Sequence, residues 1–217
     1  TFKKDYFDII CAPLHDKNKF KSSDNVIFFE GSLAKVSTNE PNKDITMIAV
    51  GGTNKHYIFD NNHLIYQISF LINLYSNNNI YIFNSRRTPD SFNKELDKIT
   101  KDNANITFAN INNNQSISID EILQKASTKF ISRDSINMIY ESLSTRGNTY
   151  LLDMEHFKSN NKVVKNVNHL ISNRKIGYVD TSDIINGISK LKLEKQNSHN
   201  DVYAEVEKVA FEIRKYL

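Results

Sequence analysis

Short apolar runs recur along this chain with room for a helix between them, and that alternation constrains the fold more than any other feature. Residues 6–11, 26–30, 45–50, 80–83, 106–109, 129–132, 149–152 and 177–179 read as strands. From residue 45 onward each run leads into a helical pattern or into a loop that reaches one. Over 61–76, Leu64, Ile68, Leu71 and Tyr75 recur at the helical period and form a core-facing stripe. Thr88, Pro89 and Asp90 read as N-cap, proline at the first helical position and acid in the first turn. A further helix is expected from residue 134 to about 146, ending at Gly147, a residue type common at helix C-termini. A last one over 202–217 carries Val202, Val206, Val209, Ile213 and Leu217 on one stripe. Strands that alternate with helices in this way pair in parallel and are covered on both faces. The expected class is therefore α/β, a Rossmann-like parallel sheet with helices on both faces.

A chain of 217 residues holds one full domain plus a fragment of another. The polar segment 31–44, which contains Pro41, separates two strand runs and reads as a linker. We expect 1–30 to be the end of an N-terminal domain and 45–217 a C-terminal domain whose last helix packs back toward the first. Thr1 is not a starting methionine and the residues after it do not form a signal sequence, so the beginning reads as a cut. The most apolar stretch, 64–74, is interrupted by Gln67, Ser69 and Asn73 and is shorter than the ~20 apolar residues of a membrane span. Cys11 is the single cysteine, which excludes an internal disulfide, provides no metal-ligand spacing and points to a reducing, cytoplasmic setting. The net charge of +3 comes from lysines dispersed among acids, which argues against a nucleic-acid partner.

In an open parallel sheet, ligands bind outside the carboxyl ends of the strands, so the loops after each run carry the functional expectation. After 45–50 comes Gly51-Gly52-Thr53-Asn54-Lys55-His56. Glycines let backbone N–H groups approach a phosphate and Lys55 supplies a countercharge; the plainer alternative is a tight turn. After 80–83 comes Ser85-Arg86-Arg87-Thr88, where arginine forks and a helix start both favour a diphosphate. Adjacent side chains do not face one ligand together, so one of Arg86 and Arg87 is expected on the phosphate and the other in an ion pair. After 129–132, Asp134 or Ser135 reads as an N-cap whose exposed N–H groups also suit a phosphate, and Glu141, farther along that helix, suits ribose hydroxyls. His15, following the first strand, is the candidate acceptor-activating base, with Asp16 as the alternative; a turn or orienting pair is the structural reading.

These segments in their order resemble one family. They are Phe7-Asp8-Ile9-Ile10 leading to Pro13-Leu14-His15-Asp16; Asn25-Val26; Gly31-Ser32-Leu33; Ile48-Ala49-Val50-Gly51-Gly52-Thr53-Asn54-Lys55-His56-Tyr57; Ser85-Arg86-Arg87-Thr88-Pro89; and Asp134-Ser135-Ile136-Asn137-Met138 with Glu141 and Gly147. The chain is similar throughout to the elongated-mitochondria family, named for plant mitochondrial-fission proteins and read in bacteria as two-domain (GT-B) glycosyltransferases.

The resemblance implies a nucleotide-diphosphate-sugar donor held by Gly51, Gly52, Thr53, Lys55, Ser85, Arg86, Arg87, Thr88, Asp134, Ser135, Met138 and Glu141. It implies transfer to a cell-envelope glycan or lipid-linked acceptor without a catalytic metal or further cofactor, in the cytoplasm or at the cytoplasmic face of the inner membrane. It also implies about a hundred residues, a typical domain, ahead of Thr1. The chain departs from the family at Ala34 and Val167, where histidine is usual, and at Ser132-Arg133, where Thr-Ala is usual. The plant branch implies a second reading, a non-catalytic adaptor. A sugar-nucleotide epimerase or reductase would carry Gly-x-Gly-x-x-Gly and Tyr-x-x-x-Lys, which this chain lacks.

Overall fold

The central strands carry apolar residues toward both faces because they are covered on both faces. In β3 (Asn42–Ala49), Met47, Ile48 and Ala49 point alternately to opposite sides and all are buried, as are Phe130 and Ile131 in β6 (Ala126–Ser132). A computed structural model describes residues 6–20, 24–113, 117–185, 190–196 and 202–216, with the side chains of His15 and Ile185 outside the description. Its main sheet has seven strands in the order β5-β4-β3-β6-β7-β8-β9. The other members are β4 (Asn79–Phe83), β5 (Ile106–Ala109), β7 (Asn148–Leu152), β8 (Gly177–Asp180) and β9 (Lys192–Glu194). All neighbours pair in parallel except β8 and β9.

On one face, α1 (Asn61–Leu74) and α2 (Asp90–Thr100) bring Leu64, Ile68, Leu71, Phe92 and Leu96 onto Ile48, Ile82 and Phe130. On the other, α3 (Ile119–Lys125), α4 (Ile136–Leu143) and α5 (Lys162–Ser172) set Ile122, Ile139, Val167 and Leu170 against Met47, Ala49 and Ile131. Each of these buried Leu, Ile, Val, Met and Phe side chains contributes about 1.5–3 kcal/mol relative to exposure. The α/β, Rossmann-like architecture is as the alternation predicted.

Local differences from the sequence reading have local causes. The first strand is β1 (Ile10–Pro13); Tyr6 and Phe7 precede it and are exposed. Pro89, and not Thr88, is the N-cap of α2, because the Thr88 hydroxyl is turned to the carbonyl of Gly51. The helix expected over 134–146 is only α4, and Gly147 lies beyond its end. That glycine has φ +98°, and a Cβ there would stand 2.7 Å from the Ala126 carbonyl. Three further elements left little trace: α3 is short, α6 (Ser182–Ile185) is one turn, and β9 has three residues without an apolar run. The terminal helix is α7 (Glu205–Ile213), in which Val209 is buried; Leu217 lies outside the described residues.

β1 and β2 (Val26–Phe29) form a separate parallel pair, and α7 packs on β2, where the Glu30 amide donates to Glu205 at 2.8 Å. The segment after residue 30 is pinned to the turn that follows α4, through Ser37 N–H to the Ser144 carbonyl at 3.0 Å, and it passes into β3 at Asn42. The same turn is held from beneath by Lys129 of β6. Its buried ammonium donates to the carbonyls of Ser142 (2.8 Å), Thr145 (3.2 Å) and Arg146 (2.8 Å) and to the Thr145 hydroxyl (2.6 Å). Burial pushes this lysine down to about 7.

Candidate functional site

The chain lays down β3, β4 and β5 outward in one direction, then returns to place β6, β7 and β8 on the other side of β3. The strand order therefore reverses between β3 and β6, and the carboxyl ends of these two strands define the crevice where α/β sheets bind ligands.

Three loops meet there around Asp134. The N–H of Gly51 donates to Ser132 Oγ (2.7 Å), that of Gly52 to Asp134 Oδ2 (2.8 Å) and that of Thr53 to the Arg87 carbonyl (3.1 Å). Ser132 Oγ donates in turn to Asp134 Oδ1 (2.6 Å). From the loop after β4, Ser85 Oγ (2.9 Å) and Thr88 Oγ1 both donate to the Gly51 carbonyl. The Arg87 guanidinium reaches Asp134 Oδ2 and the Thr53 carbonyl, each at 3.4 Å. Both glycines are required by close approach: a Cβ would fall 2.1 Å from Asp134 Oδ2 at position 51 and 2.1 Å from the Arg87 carbonyl carbon at position 52.

The N–H groups of residues 51, 52 and 53 are all consumed within the protein, and Ser85 and Thr88 spend their hydroxyls on the same clamp. Asp134 does not cap α4. Its side chain is fully buried, and burial pushes its pKa up against the opposing pull of Ser132, the Gly52 amide and Arg87. Arg87 is the ion-paired arginine of the two. Arg86 and Lys55 are exposed and make no hydrogen bond or ion pair among the described residues, and Thr53 is exposed beside them. Ser135, the N-cap of α4, makes no side-chain capping bond, so the first N–H groups of that helix lack a side-chain cap.

Three expected site residues lie elsewhere. Met138 is half-buried and packs against the core beneath α4. Glu141 lines a separate hollow of about 240 Å³ with Leu33, Lys35 and Asp120, and its pKa is pushed up by partial burial and by Asp120. Asp16 sits in a 3-10 turn (Leu14–Phe20) with Lys19 at 2.8 Å and Lys162 at 3.8 Å. The His15 side chain lies outside the described residues.

The residue next to Asp134 turns the other way. Arg133 lines a cleft of about 410 Å³, together with Asp60, His63 and Leu64 at the start of α1 and with Asp153, Met154 and His156 after β7. Arg133 Nη2 stands 2.8 Å from Asp153 Oδ1, His63 Nε2 stands 3.7 Å from Asp153 Oδ2, and the Thr181 hydroxyl donates to that second oxygen. The buried Gln67 amide fixes the backbone of Asp153, accepting from its N–H (2.7 Å) and donating to its carbonyl (2.9 Å). Burial would raise the Asp153 pKa, but His63, Arg133 and Thr181 outweigh it and hold the carboxyl at about 2.

A short antiparallel ribbon walls the cleft, with Ile58 N–H on the Glu155 carbonyl (2.8 Å) and Phe157 N–H on the His56 carbonyl (3.0 Å). Tyr57 in that ribbon is 2% exposed and its hydroxyl has no hydrogen-bond partner among the described residues; burial pushes it up to about 12.

Sequence reasoning missed this cluster. Asp153 follows a strand and was open to the carboxyl-end rule, and Gln67 is a polar residue inside the apolar stripe of α1, a signal that could have exposed the pairing.

No helix among the described residues is long and apolar enough to cross a membrane. No curated protein matches the chain. Among solved structures, a crystal structure of a GtfA/B complex superposes with a TM-score of 0.39 at 11% identity, over 98% of this chain and 43% of that one. The chain thus spans less than half the length of that protein. The family model described as mitochondrial fission ELM1 matches residues 1–217, and the chain belongs to this family.

Proposed function

We propose that the chain is the donor-binding part of a GT-B-type glycosyltransferase, which holds a nucleotide-diphosphate sugar at the carboxyl edge of the main sheet and passes the sugar to a glycan or lipid-linked acceptor. The observation that carries this reading is the convergence of the loops after β3, β4 and β6 at the point where strand order reverses, with Arg86 and Lys55 left unpaired beside them among the described residues. Because the 51–53 amides are occupied, the diphosphate is assigned to Arg86, Lys55 and the uncapped N–H groups at the start of α4. Arg87 stays with Asp134. As the bond between the anomeric carbon and the diphosphate oxygen breaks, these cations and dipoles offset the growing negative charge, the part a metal ion plays in other transferases. The acceptor side follows the same reading and includes peripheral contact with a membrane where the acceptor is a lipid.

One observation favours the adaptor reading. A clamp that satisfies its own amides serves stability equally well in a protein that binds no nucleotide. Calorimetric titration with uridine diphosphate and uridine-diphosphate glucose separates the two. The native chain should bind, and Arg86→Ala should weaken binding by about 1.5–3 kcal/mol, the range of charge-assisted hydrogen bonds. Equal and negligible losses in Arg86→Ala and Arg87→Ala would remove the diphosphate from this loop and leave the adaptor reading.

A further inference from the structure

The cleft on the Arg133 side of β6 is not used by the nucleotide loops, yet it is built with more precision than an incidental ion pair requires. Asp153 is held at every polar atom. Its backbone is locked by the buried Gln67 amide, one carboxylate oxygen lies 2.8 Å from Arg133, and the other takes the Thr181 hydroxyl. Such immobilisation sets a fixed carboxylate beside the His63 ring, whose Nε2 lies 3.7 Å away. Among the described residues His63 is the histidine that pairs with a carboxylate, and its side chain is 27% exposed. The cavity, about 410 Å³ with Ile58, Leu64 and Met154 supplying apolar wall, falls in the size range of small-ligand sites. The ribbon that walls it, from His56 to Ile58, continues directly from the loop after β3, and Arg133, which lines it, is consecutive with Asp134 of the clamp.

We propose that His63, oriented by Asp153, takes the proton from the acceptor hydroxyl, and that this cleft seats the acceptor next to the nucleotide loops. The inference rests on the glycosyltransferase reading above. Nε2 is the nitrogen nearer Asp153, so Nδ1 takes the accepting role in this scheme. The acceptor oxygen forms its bond to the anomeric carbon as its O–H bond breaks and the proton passes to Nδ1. The anomeric carbon to phosphate-oxygen bond breaks, and its electron pair leaves with the nucleoside diphosphate. The resulting imidazolium is met by the Asp153 carboxylate and later returns its proton to water. His63 is the catalytic residue in this scheme, whereas Asp153 is a positioning residue. The other charged groups facing the ring are Asp60, whose side chain accepts from the His63 amide at 3.0 Å, and Arg133, Glu155 and His156 across the cleft.

The test uses the full chain with uridine-diphosphate glucose and water as the acceptor, measuring nucleotide binding by calorimetry and release of uridine diphosphate across pH. His63→Gln should bind the nucleotide as the native chain does, while release falls about 100-fold or more and loses its dependence on pH at the acid end. Asp153→Asn should show a smaller fall and a displaced pH profile, which a merely structural role would not produce. If His63→Gln binds and releases like the native chain with the same profile, the dyad is overturned and the nucleotide reading stands. If the native chain binds but releases nothing, the dyad is likewise overturned. Failure of the native chain to bind any nucleotide would overturn both.

Discussion

Asp134 and Asp153 follow the neighbouring strands β6 and β7, and their environments drive them in opposite directions. Asp134 has no exposed side-chain surface, its cation among the described residues is the half-exposed Arg87 at 3.4 Å, and its pKa is raised. Asp153 keeps a quarter of its side chain exposed, has Arg133 at 2.8 Å with His63 and Thr181 beside it, and is held at about 2. Desolvation wins where the cation is farther off and half-exposed; charge and hydrogen bonding win where the cation is close and itself mostly buried. The two sites differ in purpose accordingly. The Asp134 clamp consumes the groups it gathers, and the Asp153 cleft presents them to a cavity.

The largest effect should come from the closed side. Asp134→Ala leaves the buried Gly52 amide and Ser132 hydroxyl without their acceptor, and should destabilise the fold by about 2–5 kcal/mol in urea denaturation, the cost of two buried donors left unsatisfied. A loss below about 1 kcal/mol would mean that the clamp is not what joins the three loops.

Next comes the open side, where the comparison is sharpened by pH. A carboxyl with its folded pKa depressed to about 2 contributes stability that is complete above its unfolded value near 3.9 and is lost as pH falls toward 2. Asp153→Asn should therefore destabilise by roughly 2 kcal/mol at neutral pH and converge with the native chain in acid. The raised Asp134 has the opposite sign: its contribution to stability declines as pH rises through its folded pKa. If melting curves of Asp153→Asn stay parallel to the native ones from neutral pH to pH 2, the contrast between the two carboxylates is wrong.

The smallest effects separate the arginines. Arg87→Ala removes a half-exposed pair and should lower stability by about 1 kcal/mol or less, and Arg86→Ala should stay within about 0.5 kcal/mol. A larger loss for Arg86 in thermal unfolding would reverse their assignment.

Periodicity set the limit of what could be read from the chain. The β3 and β6 runs are visible because both faces are covered, and α1 because Leu64, Ile68 and Leu71 share a stripe. β9 is not, since its pairing with β8 supplies the order that its own three residues lack. Gly51 and Gly52 stand out as special in the sequence, yet for a reason that only their neighbours reveal.

The sequence by itself determined the α/β class, the main strands and the loops that gather at their carboxyl ends, because local hydrophobic pattern and chain direction suffice for these. The tertiary structure alone decided which amides were already satisfied, which arginine was paired and which carboxylate met a histidine. Those outcomes rest on contacts such as Gly51 with Ser132 and Gly52 with Asp134, 81 and 82 positions apart, and no local periodicity encodes a hydrogen bond across that distance.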